Sequence, residues 1–390
     1  MSSISKKIIS VFGVTGSVGL STLEIIKSNT QNFIVDTIVS NNNVQGLIKA
    51  AKLLKPNLVI INNTEKLIEL KNALKDYEIS VACGTEAIID ASKRNVDILV
   101  AGISGFAGLN STINAIGSAN IIALANKESI VCAGPILLNK AKNSNSKIIP
   151  IDSEHNTLYQ ILINTDMDDV SKLIITGSGG PFRGFSSKKL ENVTLEDAIN
   201  HPIWDMGKKI SVDSATLMNK GLELIEASYL FEINEDKIEI IIHPESMIHG
   251  IVEYKDGTMN AGISMPDMKY PISYALNFPN KANLNFKRLN LALVKSLNFE
   301  EVDKSVFKSI DISRYALKEG HSFVISLNAI NEVAVEYFIK RNIKFNSITS
   351  ILEEAMAKIV INKVNTLEDI FMIDKEARTI TRQIINNGNF

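Results

Sequence analysis

The chain has 390 residues, room for two or three domains, and 45% of them are apolar, which supports a sizeable core and excludes general disorder. Its formal net charge is -2, so it offers neither the basic surface of a nucleic-acid binder nor a polybasic membrane anchor. Two cysteines, Cys83 and Cys132, stand far apart in no metal-ligand spacing, as expected of small core residues in a reducing compartment. The segment Met1 to Lys7 is polar and runs straight into a strand. It has no signal-peptide pattern, and no apolar run reads as long enough to span a bilayer, so a cytoplasmic protein is expected.

Ile8 to Phe12 is an apolar strand signal, followed at once by Gly13-Val14-Thr15-Gly16-Ser17-Val18-Gly19 and a helical pattern through Ile26. Strand, glycine turn and helix is the context in which backbone amides cradle a pyrophosphate, although a plain glycine-rich turn gives the same string. The next strand, Phe33 to Val39, ends in Ser40-Asn41-Asn42-Asn43. No acid stands there to repel a 2′-phosphate and no Arg to grip it, which favours NADP over NAD modestly. Strands at Leu58–Ile61, Val96–Ala101 and Ile121–Ala125 alternate with helical stretches, which predicts a Rossmann-like, doubly wound parallel sheet. Asn126-Lys127-Glu128-Ser129 then reads as a helix start, capped by Asn126, that can also face a ligand.

The run Lys147 to Ile151 reads as a buried strand leading into Asp152-Ser153-Glu154. If the extended geometry continues, Asp152 and Glu154 point to the same face. They are then either surface acids on a solvated turn or a pair that a hard cation such as Mg²⁺ or Mn²⁺ would relieve of mutual repulsion. Lys172 to Thr176 runs into a second glycine-rich turn with a hydroxyl, Gly177-Ser178-Gly179-Gly180, a simple bend or a seat for a phosphate. The aperiodic His201-Pro202-Ile203-Trp204-Asp205-Met206-Gly207 is either a lid over substrate or a loop with a core-packed Trp. Ser214 reads as the N-cap of the helix that carries Asn219, Lys220 and Glu223 on one face. That trio is either a solvated ion pair or an amide, an ammonium and a third carboxylate for a metal. Further strands at Ile238–Ile242 and Met247–Val252 precede a hairpin at Asp256-Gly257, and His243 and His249 read as structural. Beyond Ser313 the pattern is helical, with a capping box at Thr366 and Asp369.

With these residues placed, the chain closely resembles the 1-deoxy-D-xylulose 5-phosphate reductoisomerases of the non-mevalonate isoprenoid pathway. The resemblance rests on GVTGSVG, LANKES, IDSEHN, TGSGGPF, HPIWDMG, SVDSATLMNKGLE, HPESMIHG, MPDM and LNAINEVAV, in the family's order nearly end to end. It implies an α/β protein with an NADPH-binding domain at 1–150, a catalytic and dimerisation domain at 151–280 with a lid near 197–209, a linker at 281–312 and a helical domain at 313–390. It also implies a homodimer. Thr15, Gly16, Ser17, Val18, Asn43, Asn126, Glu128 and Gly207 would contact NADPH, and Asp152, Glu154 and Glu223 would hold Mg²⁺ or Mn²⁺. Lys127, Ser153, Ser178, His201, Ser214, Asn219 and Lys220, with Glu154 and Glu223, would contact a sugar phosphate, and Lys127 and His201 would join the three acids as catalytic groups. Trp204 and Met206 would sit on the lid. The chain departs from the pattern at Asn41-Asn42, where the family often carries Gly and a basic residue. Two other readings remain open, a metal-independent NADP sugar-phosphate or aldehyde dehydrogenase and a catalytically silent dinucleotide-binding protein.

Overall fold

Strands up to Pro150 are near-continuous apolar runs, the pattern of a parallel sheet covered on both faces. The structure, a computed structural model, describes residues 6–204, 206–282, 285–388 and 390. Asp205 of the expected lid and Asn283 and Leu284 of the expected linker lie outside them. Two compact units are formed, one of Met1–Ser129, Leu137–Asn156 and Asp267–Asn285, the other of Ile130–Ile136, Thr157–Pro266 and Phe286–Phe390.

In the first unit, strands β1 (Lys7–Phe12), β2 (Phe33–Ser40), β3 (Leu58–Ile61), β4 (Ser80–Cys83), β5 (Val96–Ala101), β6 (Ala119–Leu124) and β7 (Lys147–Pro150) pair in parallel in the order β4-β3-β2-β1-β5-β6-β7. The connecting helices are α1 (Ser17–Ser28), α2 (Val44–Leu54), α3 (Leu67–Leu74), α4 (Thr85–Ser92), α5 (Leu109–Ala115) and α6 (Lys127–Lys142), and α7 (Ser153–Leu162) follows β7. Ile9, Val11, Phe12, Ile38, Val39, Ile60, Ile98 and Val100 are buried, so the sheet is the core. Strand order reverses between β1 and β5, the switch point at which such sheets open a crevice at their carboxyl ends. The expected alternation is present, and β4, which the sequence reading did not mark, is added at the edge. Cys132 is buried as expected, whereas Cys83, at the end of this edge strand, is only half-buried.

One buried charge locks β2. The Asp36 carboxylate accepts from Arg94 Nε and Nη2 at 2.6 and 2.7 Å, from Asn57 Nδ2 at 3.0 Å and from Thr37 Oγ1 at 2.8 Å. Burial pushes this carboxyl up, but the four donated bonds outweigh it and hold it at about 2, below the usual 3.8. A depressed folded-state pKa gives stability that is present above the unfolded value and is lost as pH falls through the folded one. Asp36→Asn is therefore expected to cost roughly 2 kcal/mol at pH 7, and less near pH 3, read from urea midpoints. An equal loss at both pH values would assign the effect to packing instead.

The second unit carries β8 (Val170–Gly177), the short helices α8 (Ser187–Leu190) and α9 (Leu195–Ile199), then α10 (Lys208–Ala215), α11 (Met218–Leu230), β9 (Ile238–Ile242), β10 (Ile248–Tyr254) and β11 (Met259–Ile263). Its four-stranded sheet has the order β11-β10-β8-β9, with β10 antiparallel to β11 and β8, and β8 parallel to β9. The expected hairpin turns at Asp256, whose carboxylate accepts from Thr258 N at 2.9 Å, and at Gly257, whose φ of +85° suits glycine.

Helix α12 (Lys269–Asn277) belongs to the first unit, although the sequence expectation counted it with the catalytic domain. Lys7 Nζ donates to the Leu276 and Phe278 carbonyls at 3.1 and 3.3 Å, and Lys269 pairs with Glu24 at 2.7 Å. The chain closes in the second unit with α13 (Leu291–Val294), α14 (Ser309–Glu319), α15 (His321–Ile339), α16 (Phe345–Met356) and α17 (Leu367–Asn387). The Thr366–Asp369 capping box opens α17 as expected. Contrary to the sequence reading, α15 is long and apolar enough to cross a membrane by length and composition. Its window is 78% buried, and it packs on α14, α16 and α17, as the core helix of a bundle does.

Candidate active site

The first unit supplies a cradle. Gly13 ends β1 with φ +87°, and a Cβ there would lie 2.4 Å from the Gly102 carbonyl oxygen at the end of β5. At Gly19 a Cβ would lie 2.3 Å from Gly13 O. Only glycine lets the turn approach the switch point and the first turn of α1 this closely. Gly16 occupies the N-cap with no side-chain cap, and Gly16 and Ser17 are exposed, so the amide end of α1 is open to an anion. Thr15 Oγ1 lies 2.7 Å from Ser40 Oγ, tying the turn to the end of β2. This cradle fits the pyrophosphate of a dinucleotide. Asn43 spends its side-chain oxygen on Gly46 N at 2.9 Å, capping α2. Asn126 caps α6 through Ser129 N at 2.8 Å, while its amide group donates to the Ile103 carbonyl and, at 2.8 Å, to Gly105 O. Asn126 therefore clamps the loop after β5.

Lys127 and Glu128 open α6 and are buried. Lys127 Nζ lies 2.5 Å from Asp152 Oδ2, between β7 and α7. The expectation of an extended Asp152-Ser153-Glu154 is corrected here. The strand stops at Pro150, and Ser153 and Glu154 form the first turn of α7, where an acid is favoured by the helix dipole. The apolar positions Leu158 and Leu162 face the core at helical spacing and carry the helical pattern back to Ser153. Positions two apart on a helix do not face each other, but Asp152 stands in the bend just before α7. Carboxylate oxygens of Asp152 and Glu154 thus still lie within 4.8 Å of one another, and Ser153 Oγ donates to Glu154 Oε2 at 2.6 Å. Two hard oxygen donors so placed fit Mg²⁺ or Mn²⁺. His155, fully buried with a ring nitrogen within 4.8 Å of an Asp152 oxygen, was not singled out. Its signal was the i, i+3 spacing from Asp152 at a helix start.

The second unit gathers the glycine turn after β8 with Ser178, His201 and Lys220. The turn after β8 has positive φ at Gly179 (+85°) and Gly180 (+67°), and a Cβ on Gly180 would lie 2.7 Å from Ser214 O. A Cβ on Gly177 would lie 2.9 Å from Lys220 Cε, so the turn rests on the lysine stem. Ser178 Oγ sits 2.9 Å from His201 Nε2. The other ring nitrogen, Nδ1, accepts the backbone N–H groups of Ile203 and Trp204 at 3.2 and 2.9 Å. An acceptor Nδ1 assigns the proton to Nε2, which donates to Ser178. Burial, and then the nearby Lys220 ammonium, push the His201 pKa from 6.5 down to about 4. The ring is neutral at pH 7, and its protonation costs folded-state stability as pH falls from 6.5 toward 4. A histidine NMR titration is expected to show no His201 transition above pH 5; a midpoint near 6.5 would refute the assignment.

Ser214 is not an N-cap. It lies in the last turn of α10, and α11 opens after Leu217, in the left-handed region at φ 58°. The aperiodic stretch gave no sign that a helix begins as early as Lys208. Asn219 and Lys220 share a face with Glu223 as expected, with Asn219 half-buried and the ion pair out of solvent. Lys220 Nζ lies 2.6 Å from Glu223 Oε2, and Asn219 donates to Glu223 Oε1. Lys220 and Glu223 are both buried. On the segment expected to be a lid, Trp204 and Met206 are half-buried, Ile203 and Gly207 are exposed, and the Trp204 ring lies 6.5 Å from that of His249. His243 and His249 are buried, bonded to Asn298 O at 2.8 Å and Ser264 Oγ at 3.0 Å, in keeping with structural roles.

A glycine cradle at a switch point of a parallel sheet, with paired acids after β7 of the same sheet, is the arrangement of a dinucleotide-dependent oxidoreductase. Family models described as 1-deoxy-D-xylulose 5-phosphate reductoisomerase match residues 9–134, and models of its C-terminal domains match 148–231 and 263–380. The reductoisomerase of Thermoanaerobacter pseudethanolicus is 41% identical over 96% of this chain and 97% of its own. That of Ehrlichia canis is 42% identical over 97% of this chain and 99% of its own. The solved Zymomonas mobilis enzyme in complex with NADPH superposes with a TM-score of 0.92 at 37% identity, covering 98% of this chain and all of that one. A reductoisomerase in complex with NADPH, fosmidomycin and magnesium superposes at 0.91, with 36% identity and 98% of this chain covered. The chain belongs to the 1-deoxy-D-xylulose 5-phosphate reductoisomerase family.

Proposed function

We propose that this chain rearranges 1-deoxy-D-xylulose 5-phosphate and reduces the branched aldehyde to 2-C-methyl-D-erythritol 4-phosphate, with NADPH and a divalent metal, at a site holding the residues anticipated from sequence. One observation carries the reading: paired acids, with Lys127 on Asp152, end the same sheet that carries the glycine cradle. When bound, the metal would supply Lewis-acid polarisation of the C2 carbonyl and a neighbouring hydroxyl, and NADPH the hydride. Asp152, Glu154 and Glu223 would hold the metal. The amides at Thr15, Gly16, Ser17 and Val18 would seat the pyrophosphate, with Asn43, Asn126, Glu128 and Gly207 along the cofactor. Lys220, Ser178, Ser214 and Asn219 would bind the substrate phosphate, Lys220 as its charged donor. Neutral His201 would offer an Nε2–H donor rather than a positive charge; through its two ring nitrogens it orients Ser178 and holds the backbone at Ile203 and Trp204. Lys127, with Ser153 beside it, would hold a proton at Nζ near the reacting oxygens. Phosphate binding energy would then draw the lid shut and exclude water.

The test is NADPH oxidation on adding deoxyxylulose phosphate with Mg²⁺ or Mn²⁺, abolished by EDTA and restored by metal. Oxidation that survives EDTA would support the metal-independent dehydrogenase instead, and binding without oxidation the silent protein. The four-part division 1–150, 151–280, 281–312 and 313–390 is kept as part of the proposal, although α12 lies in the first unit and 157–266 and 313–390 share the second; the cytoplasm is the proposed compartment. The homodimer belongs to the same proposal. Strand β11 is a sheet edge whose Met259 and Ile263 are exposed, so a second copy can cover it. Ile263→Lys is expected to convert a dimer to a monomer in sedimentation, and a monomeric parent protein would overturn the point.

A further inference from the structure

The carboxyl ends of β2, β3 and β4 carry a chain of neutral side chains. Asn62 Nδ2 donates to Asn41 Oδ1 at 3.0 Å, and Thr85 Oγ1 donates to Asn62 Oδ1 at 3.2 Å. The backbone follows the same path, with Asn62 N on Ser40 O at 2.9 Å and Asn63 N on Asn41 O at 3.0 Å. Asn41 is thus held by its side-chain oxygen and turns its amide donors outward, beside exposed Asn42. Ser40, the residue before it, is bonded to Thr15 of the glycine turn, which fixes this array next to the cradle. In such folds the end of the second strand is where the adenosine ribose is read, by an acid for a 2′-hydroxyl or a guanidinium for a 2′-phosphate. Among the described residues, the first helical turns after β3 and β4 carry Glu65 and Glu86, and Lys66 is paired with Glu69 at 3.6 Å. They give no net positive field.

We infer that this chain reads the 2′-phosphate of NADPH through the neutral Asn41–Asn62–Thr85 array rather than through a cation, and therefore separates NADPH from NADH only weakly. The inference rests on the proposed function. A neutral hydrogen bond is worth about fivefold in affinity, whereas a charge-assisted bidentate grip is worth tens to hundreds. One or two amide donors thus set a preference of roughly tenfold.

The experiment measures Kd for NADPH and for NADH by nicotinamide fluorescence, with no substrate or metal present. The expected ratio is below about thirtyfold and does not fall steeply between about 50 and 300 mM salt, because no cation–phosphate attraction is there to be screened. Asn41→Asp keeps the acceptor for Asn62 and is expected to invert the preference toward NADH. Asn42→Lys is expected to raise the NADPH preference at least about fivefold and make it fall with salt. A parent ratio above about thirtyfold, or a preference unmoved by Asn41→Asp, would overturn the inference while leaving the enzyme reading intact. Failure to bind either nucleotide would overturn both.

Discussion

Glu223→Gln is expected to lower turnover by at least about a hundredfold, ~2.7 kcal/mol of barrier, with the Kd for NADPH within about twofold of the parent. Glutamine keeps the length of the side chain and one acceptor oxygen, so α11 should stay folded. What is lost is charge. Glu223 is buried, and its two oxygens serve Lys220 and Asn219. An amide there donates where a metal needs an anionic oxygen, and it leaves the Lys220 ammonium buried without its counter-ion. NADPH binding by fluorescence and Mn²⁺ binding by calorimetry separate this from general damage, because only the second should weaken. Turnover persisting within about tenfold would sink the three-carboxylate site.

Gly13→Ala is expected to do the reverse, weakening NADPH binding by more than about a hundredfold and costing roughly 2–3 kcal/mol of stability. The added carbon would sit 2.4 Å from a backbone oxygen that cannot swing away, at a φ of +87° that alanine rarely adopts. Gly16→Ala is the control, since a Cβ there meets its nearest neighbour at an ordinary 3.5 Å. It should cost far less in both assays. Binding by Gly13→Ala within about threefold of the parent would mean that the turn does not seat the cofactor.

The fold was legible where burial dictates pattern. The strands of a doubly covered parallel sheet must be apolar throughout, and β1, β2, β3, β5 and β6 announce themselves that way. Edge strand β4 does not, because its Ser80 is exposed and Val81, Ala82 and Cys83 are half-buried. The helix after β7 was hidden by its polar opening, Ser153 to Asn156, which carries no apolar stripe although His155 and Asn156 are buried. Ser214 was misread for a related reason: α10 and α11 meet at a left-handed Leu217, a break that no glycine or proline marks. Candidates for the site were nameable from sequence, but their states were not. That His201 is neutral, with Nδ1 turned to Trp204 and Nε2 to Ser178, depends on contacts between segments 23 residues apart.

The return of α12 to the first unit has a consequence for synthesis. A chain growing from the ribosome has laid down all seven parallel strands by Pro150, yet the helix that Lys7 and Glu24 hold emerges more than a hundred residues later. Until Lys269–Asn277 is extruded, the cradle domain must wait with that flank uncovered. A fragment cut near Asn156 inherits the same bare flank, and joining 267–285 to it through a short flexible tether is the way to produce it as a stable piece.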